Sequence, residues 1–75
     1  MKLPVISSSK VIKVLERNGF TVLRQKGSHI ILYKRTGNKT FLVVVPQRKE
    51  IKKGTLMSII KQSGYTKQEF LKLFK

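Results

Sequence analysis

The stretch RQKGSHIIL, residues 24–32, carries the chain's single histidine, His29, directly after a Gly-Ser pair. An imidazole ordinarily titrates at about pH 6.5, so it is the side chain best suited to take up and return a proton near neutrality. Arg24 and Lys26 lie just before it, and a second basic run, Arg48, Lys49, Lys52 and Lys53, follows Pro46. Cations so placed gather phosphates. A general base held against an RNA backbone takes the proton of a ribose 2′-hydroxyl, and the freed oxygen attacks the adjacent phosphorus without needing a metal. Such proton transfer contributes roughly 10²–10⁴ in rate, and neighbouring cations stabilise the charge that builds on the phosphate oxygens. On spacing alone, His29 has two readings: a polar residue on the wet face of a hairpin, or this general base.

The composition favours a polyanionic partner. Seventeen Lys and Arg stand against three acids in 75 residues, a net charge of +14. Nucleic acid comes first, because each neutralised phosphate releases a counterion. An acidic protein or an anionic membrane surface comes after it. The absence of cysteine excludes disulfides and thiolate zinc sites. One histidine and three scattered acids offer no converging ligand set, so neither metal nor small-molecule cofactor is expected. The apolar run Phe41–Val45 is far too short to span a bilayer. MKLPVISSSK carries Pro and a serine run where a signal peptide needs an apolar stretch. The expectation is a cytoplasmic protein without membrane association. The length suits a single domain over residues 1–75, with a modest core.

The elements that must hold His29 can be placed from punctuation and period. SSSKVIKVLERNGF predicts a helix capped by a serine among Ser7 to Ser9, with Val11, Ile12 and Leu15 on one face and Gly19 past its end. Three β-rich runs follow, divided by Gly27-Ser28 and Gly37-Asn38, each suited to a two-residue hairpin turn. TLMSIIKQSG predicts a helix with Thr55 as its cap, Leu56, Ile59 and Ile60 inward and Gly64 beyond its end. Thr66 and Glu69 form a capping-box pattern opening a last short helix with Phe70, Leu71 and Phe74 at core spacing.

These turns set a register. Lys26 pairs with His29, Arg24 with Ile31, Leu23 with Leu32 and Val22 with Tyr33 on one side. Arg35 pairs with Thr40, Leu32 with Val43 and His29 with Pro46 on the other. Alternation then collects Leu23, Ile30, Leu32, Phe41, Val43 and Val45 on a face for the helices to cover. His29, Arg24, Lys26, Tyr33 and Arg35 share the opposite face with Val22, Ile31, Leu42 and Val44. The apolar members of that wet face suit a protein partner that covers them.

NGF after the first helix, RQKGSHIIL, VVVP with its basic connector, and KKGTLMSIIKQSGYTKQEFL together resemble the HicA toxins of bacterial toxin–antitoxin pairs. The resemblance runs from about Ser8 to Phe74. It implies an α+β fold of order α-β-β-β-α, similar to a double-stranded-RNA-binding domain, with a three-stranded antiparallel sheet and helices on one face. It also implies a metal-independent ribonuclease that cleaves mRNA and arrests translation, silenced by a HicB-like antitoxin. The family's catalytic histidine falls on His29. The expected RNA contacts are Arg24, Lys26 and Ser28 around the hairpin lip and Arg48, Lys49, Lys52 and Lys53 on the connector. Many members carry a histidine directly after the first, where this chain has Ile30, and another two residues after the strand-end proline, where it has Arg48. A guanidinium does not deprotonate near neutrality but clamps phosphate well. The alternative is a non-catalytic RNA-binding module, which the charge and fold would serve equally.

Overall fold

The serine run begins the first helix as capping chemistry requires. In the computed structural model, which describes residues 5–74, α1 spans Ser8–Arg17. Ser7 takes the extended N-cap conformation, and its hydroxyl accepts from the Lys10 amide. The helix ends at Asn18, whose side chain donates to the Val14 carbonyl at 2.8 Å.

Three strands follow, β1 (Thr21–Lys26), β2 (His29–Thr36) and β3 (Lys39–Pro46). They form one antiparallel sheet in the order β1-β2-β3. Pro46 therefore ends an edge strand, where a missing amide is tolerated. Gly27 and Gly37, at φ 60° and 57°, occupy the first central positions of the two turns, where a two-residue hairpin favours positive φ. The β2–β3 register matches the sequence expectation from His29↔Pro46 to Arg35↔Thr40. The β1–β2 register matches it from Lys26↔His29 to Arg24↔Ile31.

Beyond Arg24 the expectation fails. A bulge at Leu23 shifts the ladder, so that Val22 pairs with Leu32 and Thr21 with Tyr33. Leu23, expected in the core, is 53% exposed, and Val22 leaves the wet-face set by pairing across from a core residue. The reason lies one residue before the strand. With the turn's register unbroken, Phe20 would point to the wet face. With one residue absorbed it comes opposite Lys34 on the helix side, where it is 3% exposed and the Lys34 Nζ lies 5.6 Å from its ring. Burying a phenylalanine outweighs exposing a leucine on an edge strand, where bulges are common.

Two more helices follow, α2 (Lys53–Ser63) and α3 (Lys67–Lys72). Thr55 is not the cap of α2: the N-cap is Lys52, which makes no side-chain capping bond, and Thr55 sits inside the first turn. The Thr66–Glu69 capping box is formed in full. Val11 and Leu15 from α1, Leu32, Val43 and Val45 from the sheet, Leu56 and Ile59 from α2, and Phe70 from α3 are fully buried together. Each such side chain contributes about 1.5–3 kcal/mol by leaving water. Ile6 and Ile51, which no period singled out, complete this core. α1 and α2 thus lie against one face of the sheet and α3 packs on α2, adding Phe70 to the same core, which gives the expected α+β architecture.

Candidate functional site

His29 is the first residue of β2, flanked across the ladder by Lys26 on β1 and Pro46 on β3. Its side chain is exposed, while Ile30 and Leu32 turn towards the helices. The hairpin lip beside it is braced by the next segment. The Gln47 amide donates to the Ser28 carbonyl at 2.7 Å, and the Gln25 side-chain amide donates to the Gly27 carbonyl at 3.1 Å and to Gln47 Oε1 at 3.4 Å.

The basic connector is held as firmly at its other side. The Ser8 hydroxyl donates to the Arg48 carbonyl at 3.0 Å and accepts from the Arg48 amide at 3.1 Å. The Ser8 amide also donates to that carbonyl at 3.0 Å. The Ile51 amide donates to the Ile6 carbonyl at 2.8 Å, and the Ile51 side chain plugs into the core. These bonds fold the connector back beside the end of β3. The result is a cleft of about 490 Å³ whose walls are His29, Val44 and Pro46 from the sheet, Arg48, Glu50, Ile51 and Lys52 from the connector, and Thr55 and Gln62 from α2.

The structure brings some of the expected site residues together and separates others. Arg48 and Lys52 share the cleft with His29. Lys26 stands across the ladder from His29, and Arg24, opposite Ile31, lies further along the same strand. Ser28 contributes its carbonyl to bracing the lip. Lys49 turns to the other side of the connector, towards Ser7 and Ser9. Lys53 begins α2 outside the walls of the cleft. Besides Ile51, sequence reasoning missed three polar wall residues. Glu50 looked like a mere interruption of a basic run. Thr55 looked like a cap. Gln62 carried no signal at all, because only the docking of α2 on β3 brings it to the site.

Chemically the cleft presents an exposed imidazole, a guanidinium, an ammonium and the carboxylate of Glu50 around a space large enough for a phosphate and its sugar. Among the described residues, no three His, Cys, Asp or Glu side chains group as a metal site would require. No described helix is long and apolar enough to cross a membrane.

The sequence model of the HicA toxins of bacterial toxin–antitoxin systems matches residues 8–65, from the start of α1 to just past the end of α2. The chain belongs to the HicA toxin family. Comparison with curated proteins returns no match. Membership of this family makes the chain the toxin of a toxin–antitoxin pair, places it among nucleases at the family level and implies a cognate antitoxin. The matched span contains every wall of the cleft. The two departures from the common HicA pattern fall in different environments. Ile30 is half-buried and packs against the core, so its exchange alters packing rather than the cleft. Arg48 lies in the cleft itself.

Proposed function

We propose that this HicA toxin is a single-domain, cytoplasmic, metal-independent endoribonuclease that cleaves mRNA with His29 as its general base. The observation that carries this is the cleft itself: the only imidazole of the chain is exposed there beside Arg48 and Lys52. His29 takes the proton of a ribose 2′-hydroxyl. The 2′-oxygen bonds to phosphorus, the bond from phosphorus to the 5′-oxygen breaks, and the departing oxygen takes a proton from water entering the open cleft. The products are a 2′,3′-cyclic phosphate and a 5′-hydroxyl. Arg48 and Lys52 bind the phosphate and stabilise the charge on its oxygens as the new bond forms. Lys26, Arg24, Ser28 and Lys53 extend the contact to neighbouring phosphates along the strand, and Lys49, on the other side of the connector, adds to the positive field that draws RNA in. Arg48 in place of a second histidine leaves the leaving group without a protein acid, and turnover is correspondingly slow. A HicB-like antitoxin silences the toxin by covering the His29 face, where Leu42 and Val44 are 53% and 37% exposed beside Ile31 and Tyr33.

RNA digestion in EDTA by wild type and His29→Ala tests the proposal. Cleavage with cyclic phosphate ends in the wild type, lost in the variant while RNA affinity is kept, supports it. Cleavage at the parental rate by His29→Ala removes the imidazole from the mechanism. RNA bound but left intact by both proteins assigns the chain instead to non-catalytic binding of the double-stranded-RNA-binding type, which shares the α-β-β-β-α order.

A further inference from the structure

Within the His29 cleft, one carboxamide has its two halves committed differently. Gln62 Oε1 accepts from the Val44 amide at 3.0 Å. Val44 lies on β3, an edge strand, and this amide faces outward from the sheet, so Gln62 covers part of an otherwise open edge. A backbone N–H can be met only by the oxygen of a carboxamide, and the orientation of the group is thereby fixed. Its Nε2 is left with two donors and no partner among the described residues. Both Val44 and Gln62 are walls of the cleft that contains His29.

The position along the cleft follows from the packing of α2. Gly64, just past the helix, lies against Phe41 near the start of β3. The helix therefore runs antiparallel to the strand, and its N-cap Lys52 and first-turn Thr55 lie near Pro46, the partner of His29. Thr55 and Gln62 are two turns apart, about 10 Å at the helical rise. A phosphate at His29, Arg48 and Lys52 thus leaves Gln62 alongside the next nucleotide.

We propose that Gln62 is a substrate-binding residue whose Nε2 donates to an acceptor oxygen of the nucleotide flanking the scissile phosphate, while its Oε1 stays on Val44. The inference rests on the ribonuclease reading of the cleft and adds a selectivity to it. With its oxygen engaged, Gln62 cannot make the bidentate contact that a free glutamine makes to adenine, which needs donor and acceptor together. Its Nε2 donates to a guanine or uracil carbonyl, or to a phosphate oxygen, and offers no acceptor to an amino group in the same place.

The test uses the full chain, nitrogen-labelled, titrated with a 2′-O-methyl RNA oligonucleotide that has no 2′-hydroxyl to react. The Gln62 side-chain NH₂ resonances and the His29 ring resonances are expected to shift together. Gln62→Glu keeps an acceptor for Val44 but has no donor. Its Val44 amide should remain slow in hydrogen exchange while RNA affinity falls about tenfold, the worth of one hydrogen bond to the ligand. Ser58→Glu adds the same charge outside the cleft and should bind nearly as well as wild type. An oligonucleotide lacking the flanking base, and another with a neutral methylphosphonate at the flanking linkage, identify the acceptor as base or phosphate by which one abolishes the Gln62 shift. Gln62 resonances that stay still while His29 shifts overturn this assignment and leave the ribonuclease reading standing. Neither residue shifting on RNA binding overturns both. A loss in Gln62→Glu no larger than in Ser58→Glu also overturns the assignment.

Discussion

Replacing Ser8 by alanine asks whether one hydroxyl holds the connector that carries Arg48. Ser8 is 8% exposed, and its Oγ both donates to the Arg48 carbonyl and accepts from the Arg48 amide. Alanine keeps the backbone bond from the Ser8 amide to that carbonyl but loses the other two. Removing a second donor from a carbonyl that is still served costs about 0.5–1 kcal/mol, and leaving the Arg48 amide without an acceptor costs about 1–3 kcal/mol. Arg48 is itself exposed, so water reaches the amide and the lower part of that range applies, for a total of about 2 kcal/mol. In a domain of this size each kcal/mol lowers the melting temperature by about 4–8 °C, so the expected fall is roughly 8–16 °C. Ser7→Ala is the matched control. It removes a 3.3 Å capping bond to the Lys10 amide, at a cost of roughly 1 kcal/mol, but breaks no bond to the connector. Urea denaturation followed by circular dichroism gives both stabilities, and titration with 2′-O-methyl RNA gives both affinities. Ser8→Ala should be the less stable and should alone bind RNA more weakly, because Arg48 then keeps only one of its three bonds to Ser8. Equal destabilisation by the two substitutions, with RNA affinity unchanged in Ser8→Ala, would refute the reasoning.

Two further outcomes concern the frame around the cleft. Gly64→Ala places a methyl 2.6 Å from Phe41 Cε1 at φ 83°, whereas Gly37→Ala at φ 57° meets nothing within 4 Å. Both bear left-handed strain of about 1–2 kcal/mol, so the additional loss in Gly64→Ala, about 1–3 kcal/mol of overpacking, is read directly from the difference in denaturation midpoints. Equal midpoints would contradict the close approach of α2 to β3. The Glu69 carboxyl is held below its ordinary value of 4.5, first by the Thr66 backbone amide, then by the Thr66 hydroxyl and the Lys72 charge. Its folded value is depressed, so its contribution is complete above the unfolded value and is lost as pH falls through the folded one. The stability advantage of wild type over Glu69→Gln, measured by denaturation, should therefore be present at neutral pH and disappear on acidification below that range; an advantage independent of pH would show that the charge plays no part.

Much of the frame was legible because its signals are local. Ser7, Gly64 and the Thr66–Glu69 pair act within one turn of helix, and capping needs no knowledge of the rest of the molecule. Gly27-Ser28 and Gly37-Asn38 fix their hairpins for the same reason, and they carried His29 correctly to the exposed face beside Pro46. Leu23 was misplaced because parity along β1 is set twice, once by the turn and once by Phe20, and the two disagree by one residue. Lys52, not Thr55, caps α2 because the buried Ile51 fixes where the connector stops and the helix begins.

By itself, then, the order of residues determined the elements, most of the strand pairing, the face on which His29 stands and the cationic field around it. All of these follow from side-chain period, turn stereochemistry and net charge, which act over a few residues or over the chain as a whole. The cleft was decided only in three dimensions. Ser8 reaches Arg48 across forty positions, and Gln62 meets Val44 across eighteen. No local preference encodes such contacts; they form because burying Ile51, Leu56 and Ile59 against the sheet leaves the connector and α2 no other place to lie.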